Sequence, residues 1–239
     1  MRDSVQSGGS AASRIRTMFG AAAPHYDCIN RLTSFGRDHH WRVSVLKELD
    51  LCSGDVFLDI CCGTGDLALL ALKEGIECRG LDFSSPMLEK ALAKDADHSE
   101  RNRWICGDAS QLPFADSSFS AAACAFGLRN TVDPQKVLRE SARVLKPRGR
   151  MVILEFFPVP GKIWGPLFRF YFHKVLPHWA AILGAQKTAY QYLPASVDQF
   201  PEPSVIEDWM RLAGFSGIRG RSFAGGVARL VVGSLGKEK

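Results

Sequence analysis

No stretch of this 239-residue chain is both long enough and free enough of charge to span a bilayer, so no transmembrane helix is predicted. The first 18 residues lack the apolar core of a secretory signal; they are Ser-rich, carry arginines and read as a disordered leader, with a short organelle presequence as the alternative. Metal-ligand spacing is missing as well. Cys61 and Cys62 are adjacent with no second pair nearby, which fits no zinc motif, and they read as buried apolar thiols. No metal site is predicted. Basic residues occur in short runs such as "KPRGR" and never in a block dense enough to imply nucleic acid, so the net charge of +5 permits an acidic partner surface without demanding one. The seven cysteines are odd in number and scattered through apolar segments, which argues against a disulfide framework and for a reducing compartment, the cytoplasm by default.

What is present is an ordinary soluble composition, 46% apolar and 23% charged, in a length that suits one α/β domain over residues 19–239. Between Asp55 and Glu155 short β-rich runs alternate with helical periods, the pattern of a doubly wound parallel sheet. Strands are predicted from residues 55, 76, 103, 119 and 150, and helices from near Asp66, Ser85 and Asp133. "VDPQKVLRESARVLKPRGR" opens on an Asp-Pro cap and is read as helical up to Pro147 and Gly149. Residues 161–183 are aromatic and interrupted by Pro166 and Pro177, which predicts an insertion of broken helices capping the sheet. A helix ending at Gly214 and two antiparallel strands around Gly225-Gly226 close the domain.

The ligand signal lies in "LDICCGTGD". Asp59 ends a strand, Gly63, Thr64 and Gly65 form a small-residue loop, and a helix follows, which is where open α/β sheets bind nucleotide-like ligands. In a dinucleotide site Asp66 would sit beside the pyrophosphate, a repulsive arrangement. Acids at Asp59 and Asp66 instead favour a cationic sulfonium such as S-adenosylmethionine. Asp82, closing the second strand, is placed to accept from both ribose hydroxyls, and Asp108 with the Ala109 amide to bracket an adenine edge.

The segments "YDCINRLTSFGRDHHW", "DICCGTGD", "LPFADSSFSAAACAFGLRN", "RVLKPRGRMVILEF", "YQYLPASVDQFP" and "MRLAGF" occur in an order that resembles the ubiquinone and menaquinone biosynthesis C-methyltransferases, from about Phe19 onward. "FGLRN" together with the N-terminal Tyr-Asp segment is the specific part. The resemblance implies a class I S-adenosylmethionine-dependent methyltransferase fold with a reversed terminal strand, and cofactor contacts at Thr64, Asp82, Asp108 and Ala109. Cys61 and Cys62 stand where the family usually has small residues, and Ala125 replaces a common serine. The implied reaction is C-methylation of a polyprenyl quinol, demethylmenaquinol ahead of the benzoquinol of the ubiquinone pathway; another small-molecule acceptor and a cofactor-binding interaction protein are the alternatives.

Methylating a ring carbon requires an adjacent ring hydroxyl to lose its proton. Arg129, in an otherwise apolar strand end, is read as holding the developing phenolate or orienting a water, and Asn130 as fixing the second ring oxygen. A bridge from Arg129 to Asp133 or Glu155 is the structural alternative. Tyr26 is read as a ring or cofactor contact on a closing segment, and His25 as a weaker candidate base. In the insertion Phe168, Phe172 and their aromatic neighbours, mixed with Lys162, Arg169 and Lys174, are read as lining an isoprenoid tail or touching lipid headgroups at the inner face of the cell membrane. A core cap or a homodimer contact is the competing role for the same residues.

Overall fold

The computed structural model describes residues 13, 15–21, 23, 26–95, 103–159, 161–162, 164–175 and 187–236, the side chains at 29, 32 and 187–191 excepted. Its frame is the alternation of apolar side chains along buried strands. In β5 (Leu145–Phe156) Val152, Leu154 and Phe156 join one core, and Met151 and Ile153 join the other. β1 (Val56–Ile60) divides Phe57 and Leu58 in the same way. Two-sided burial of this kind is what a parallel sheet covered by helices on both faces requires. With β2 (Glu77–Asp82), β3 (Trp104–Cys106), β4 (Phe119–Ala125), β6 (Phe215–Phe223) and β7 (Ala228–Leu235), the sheet runs β3-β2-β1-β4-β5-β7-β6. The first five strands pair in parallel, while β7 runs antiparallel between β5 and β6. Strand order therefore reverses between β1 and β4, and a ligand crevice is expected above their carboxyl ends.

The connections are helical. α1 (Tyr26–Thr33) and α2 (Asp38–Leu49) precede the sheet; α3 (Asp66–Lys73), α4 (Ser85–Lys94) and α5 (Pro134–Val144) cross between strands. α6 (Trp164–Phe170) continues into a π-helical turn at Tyr171–Val175, and α7 (Lys187–Gln199) and α8 (Pro203–Leu212) lead into β6. Asp133 caps α5 through Lys136 N at 2.8 Å, with Pro134 in the first turn, as its sequence indicates.

Three expectations need correction. α5 stops at Val144 instead of running to Pro147: Leu145 is buried and pairs with Phe119, and Lys146–Gly149 form a bulge before Arg150 pairs with Ala121. Arg148 at φ 66° makes the bend, and a Cβ on Gly149 would lie 2.8 Å from the Lys146 carbonyl oxygen. The insertion's aromatics also divide unexpectedly. Phe168 and Phe172 stack on each other at 5.0 Å and are core residues, whereas Trp164, Leu167 and Phe170 face outward. Leu167 and Phe170, three apart, share the outward side of α6, while Trp164, one turn before Phe168, stands exposed at the helix start. Finally, residues 15–18 of the expected leader are helical. The reading of His25, and that of the insertion beyond residue 175, fall outside the described residues.

Candidate active site

The loop after β1 bends because Cys61, Gly63 and Gly65 all take positive φ, at 57°, 56° and 80°. The bend turns the Gly63 amide onto Asp82 at the end of β2, where Oδ2 accepts it at 2.9 Å while Oδ1 accepts the Ser84 amide at 2.9 Å. Burial pushes the Asp82 carboxyl up to about 6. Each oxygen has a further acceptor direction available, and the residue lies on the wall of a cavity of about 470 Å³.

Cys61, Gly63 and Gly127 form the floor of that cavity at the β1/β4 switch point; Phe83, Met87, Asp108 and Ala109 form one side. Asp108 Oδ1 accepts from Ser110 N at 2.8 Å, which fixes the turn that brings Ala109 to the cavity wall. Opposite stand Ile15, Arg16, Phe19 and Tyr26 from the N-terminal helix and α1. Phe19 is the hub of this cover, edge-on to Tyr26, Phe83 and Tyr192 at 6.0, 6.3 and 6.2 Å. The far end is made by Asn130, Thr131, Asp133 and Lys136.

Four expected site residues stand off the wall. Asp59 is 1% exposed and accepts the Ala68 amide at 3.1 Å; burial raises its carboxyl to about 8, so at neutral pH it is largely uncharged and attracts no cation. Thr64 donates to Asp27 at 2.6 Å and accepts from Lys94 at 2.9 Å. Lys94 also pairs with Asp27 at 2.6 Å and with Asp66 at 2.8 Å, so these groups tie α1, the loop and α4 together. Asp66, being compensated there, does not present a free charge to the ligand. Gly65 serves packing: a Cβ on it would lie 2.6 Å from the Trp104 ring.

Arg129 is the fourth. Its guanidinium pairs with Glu155, which is completely buried, donates to the Phe126 carbonyl at 2.9 Å and to Ser196 Oγ at 3.4 Å, and lies over the Phe156 ring. The structural bridge foreseen as the alternative is therefore the geometry found, and Arg129 stands behind the cavity rather than in it. Glu155 also accepts the Arg129 and Phe156 amides, so the pair is fully engaged within the protein. Asn130, by contrast, is on the wall: its Nδ2 donates to the Phe126 carbonyl at 3.2 Å and its Oδ1 accepts from the Tyr192 hydroxyl at 3.0 Å. Burial raises the Tyr26 hydroxyl, with the Arg129 charge and Asn30 opposing the shift, and keeps it a donor. Tyr192 and Ser196 escaped the sequence reading. They are four apart on α7, the spacing that puts two side chains on one helix face, and that was the available signal.

A model of the ubiE/COQ5 methyltransferase family matches residues 8–234. The chain belongs to that family. It is 44% identical over 222 residues to the "Demethylmenaquinone methyltransferase" of Thermus thermophilus, covering 90% of this chain and 99% of the relative. It is 41% identical over 226 residues to the "Ubiquinone/menaquinone biosynthesis C-methyltransferase UbiE" of Geobacter sp. strain M21, covering 92% and 96%. Among solved structures, a Thermotoga maritima S-adenosylmethionine-dependent methyltransferase, described as a possible histamine N-methyltransferase, superposes with a TM-score of 0.63 at 19% identity, covering 91% of this chain and 98% of that one. The fold is thus the class I, Rossmann-like methyltransferase fold with a reversed terminal strand, and the chain is a methyltransferase dependent on S-adenosylmethionine.

Proposed function

We propose that the chain methylates a ring carbon of a polyprenyl quinol, with demethylmenaquinol the first choice of acceptor. The observation that carries the proposal is that one cavity joins the Asp82 carboxyl at the end of β2 to the Asn130 carboxamide across the switch point. The names of the Thermus and Geobacter relatives support quinone-ring methylation, and the second of them keeps the benzoquinol acceptor as the alternative.

The residues present fit the cofactor. A Cβ on Gly63 would meet only the Tyr26 ring, at 3.6 Å, so the floor beside Asp82 is open, and Phe83 and Met87 supply apolar faces for a purine. In this reading Asp82 accepts from the ribose hydroxyls, while Asp108 and the Ala109 amide hold the adenine edge. Thr64 and Gly65 shape the loop, and Asp59 holds the start of α3. The bound cofactor supplies an electrophilic methyl group on a sulfonium sulfur. The chain must make the ring carbon nucleophilic, and it does so by stabilising the oxyanion of the neighbouring hydroxyl. Asn130 Nδ2 has two hydrogens, one spent on Phe126; the second is available to a ring oxygen in the cavity. Tyr26 donates to the other oxygen, and Arg129 contributes a fixed positive end beside Tyr26 without touching the ring. The hydroxyl proton leaves through the cavity mouth to solvent, and the proton the ring carbon loses as aromaticity returns restores the hydroxyl, so one proton is released in all.

A lipid-bound acceptor also requires contact with the bilayer. Among the described residues no helix is long and apolar enough to cross a membrane. The exposed Trp164, Leu167 and Phe170, flanked by Lys162, Arg169 and Lys174, make the face of α6 suited to a membrane surface. The test is anaerobic incubation of the protein with S-adenosylmethionine and a reduced, short-tailed demethylnaphthoquinol or benzoquinol. Mass spectrometry should find one added methyl group on the naphthoquinol ring carbon. Preference for the benzoquinol would select the alternative, and methylation of neither would remove the proposal.

A further inference from the structure

The "FGLRN" turn carries two polar side chains, and a single helix outside the sheet grips both. Tyr192 donates to Asn130 Oδ1 at 3.0 Å, and one turn later on α7 Ser196 Oγ receives Arg129 Nε at 3.4 Å. Ser196 is itself oriented, since its hydroxyl donates to the Leu193 carbonyl at 2.8 Å. These contacts have a chemical consequence for Asn130. A carboxamide can present either its oxygen or its NH₂ to a ligand, and the two faces have opposite preferences for charge. With Oδ1 held by a hydroxyl donor and one Nδ2 hydrogen taken by the Phe126 carbonyl, the carboxamide is fixed in one orientation, and the donor it keeps for a ligand is the second N–H. That orientation favours an anionic ring oxygen; the flipped one would set an oxygen lone pair against it.

We infer that Tyr192 is a positioning residue for methyl transfer, which locks the Asn130 carboxamide with its N–H toward the acceptor ring. The Tyr192 ring also meets Phe19 edge-on at 6.2 Å, and Phe19 lines the cavity. The hydroxyl therefore reaches the reacting end while the ring abuts the cover over the cofactor. The role deepens the quinol reading, and its test separates the two.

Tyr192→Phe removes the hydroxyl and keeps the ring contact with Phe19. Calorimetry with S-adenosylhomocysteine should give wild-type affinity in this variant. With a short-tailed demethylnaphthoquinol, kcat should fall about tenfold, the rate equivalent of one uncharged hydrogen bond, with KM little changed. In an Asn130→Ala background the same substitution should cost nothing more, because the group it positions is gone. An equal loss in both backgrounds, or a change confined to KM, would overturn the inference. A second arm needs no turnover. The Asn130 side-chain NH₂ signals, assigned by their absence in Asn130→Ala, should shift or broaden in the nitrogen-15 spectrum of Tyr192→Phe, and unmoved signals would sink the proposed lock even if the quinol reading holds. Failure of the wild type to methylate any quinol, with those signals displaced, would instead remove the quinol reading and leave the lock in place.

Discussion

Two buried aspartates at neighbouring strand ends, Asp59 and Asp82, show how position sorts one side chain into different roles. Burial raises both, to about 8 and about 6. Asp59 in the folded protein holds its proton up to about pH 8, whereas its ordinary value is 3.8, so the folded state loses stability as pH rises from about 4 to 8. Asn at this position can still accept the Ala68 amide and has no proton to lose. Asp59→Asn should therefore fold, and its urea midpoint should exceed the wild type's by an amount that grows toward alkaline pH. Asp82 is assigned to the ligand in the proposed site. If its carboxylate form is the acceptor for ribose hydroxyls, S-adenosylmethionine affinity, followed by calorimetry, should fall as pH drops below about 6. Asp82→Ala should weaken binding by about 1.5–3 kcal/mol, the range for hydrogen bonds to a charged acceptor. The Asp82 position was legible in the sequence because a strand end in this pattern has a defined place in the sheet. The state of Asp59, and the compensation of Asp66 by Lys94, depend on residues distant in the chain and were not.

At the level of elements, α6 has a face in the core and a face in solvent. Phe168→Ala and Phe172→Ala should each destabilise by about 3–5 kcal/mol, the cost of removing a buried phenyl ring, and denaturant unfolding measures it. Leu167→Ser with Phe170→Ser should leave the unfolding midpoint nearly unchanged and reduce co-sedimentation with anionic liposomes. If the double variant sediments like the wild type, α6 is not the membrane face. The aromatic richness of this segment was plain from sequence, and so was its interruption. Which ring points inward was not, since it depends on Phe156 and Trp41 arriving from β5 and α2 to make the inner wall. The strands were legible for the opposite reason: two-sided burial writes a continuous apolar run. At "KPRGR" that signal failed, because a bulge keeps polar residues inside a strand.

On the scale of the whole molecule, the cavity is assembled from segments far apart in the chain: the loop after β1, the "FGLRN" turn, α7 behind it and the N-terminal helix across it. Removing residues 1–21 takes away Ile15, Arg16 and Phe19 while leaving both cores intact. The truncated protein should unfold cooperatively as before yet bind S-adenosylhomocysteine more weakly, which calorimetry reads directly. Unchanged affinity would mean that the helix does not cover the cofactor. The family segments located the fold and most of the wall, but a leader without an apolar period gave no sign of becoming part of it.

The antiparallel β7 bears on how the chain is made. Synthesis delivers β1 to β5 first, and Leu145–Phe156 then presents a bare edge of unpaired amides and carbonyls until Ala228–Leu235 arrives to pair with it. A ribosome pausing between those segments holds a nascent chain in which β5 is open on one side, a state prone to pairing with another chain. The interval for which this edge stays uncovered is therefore set by the order of the strands in the chain.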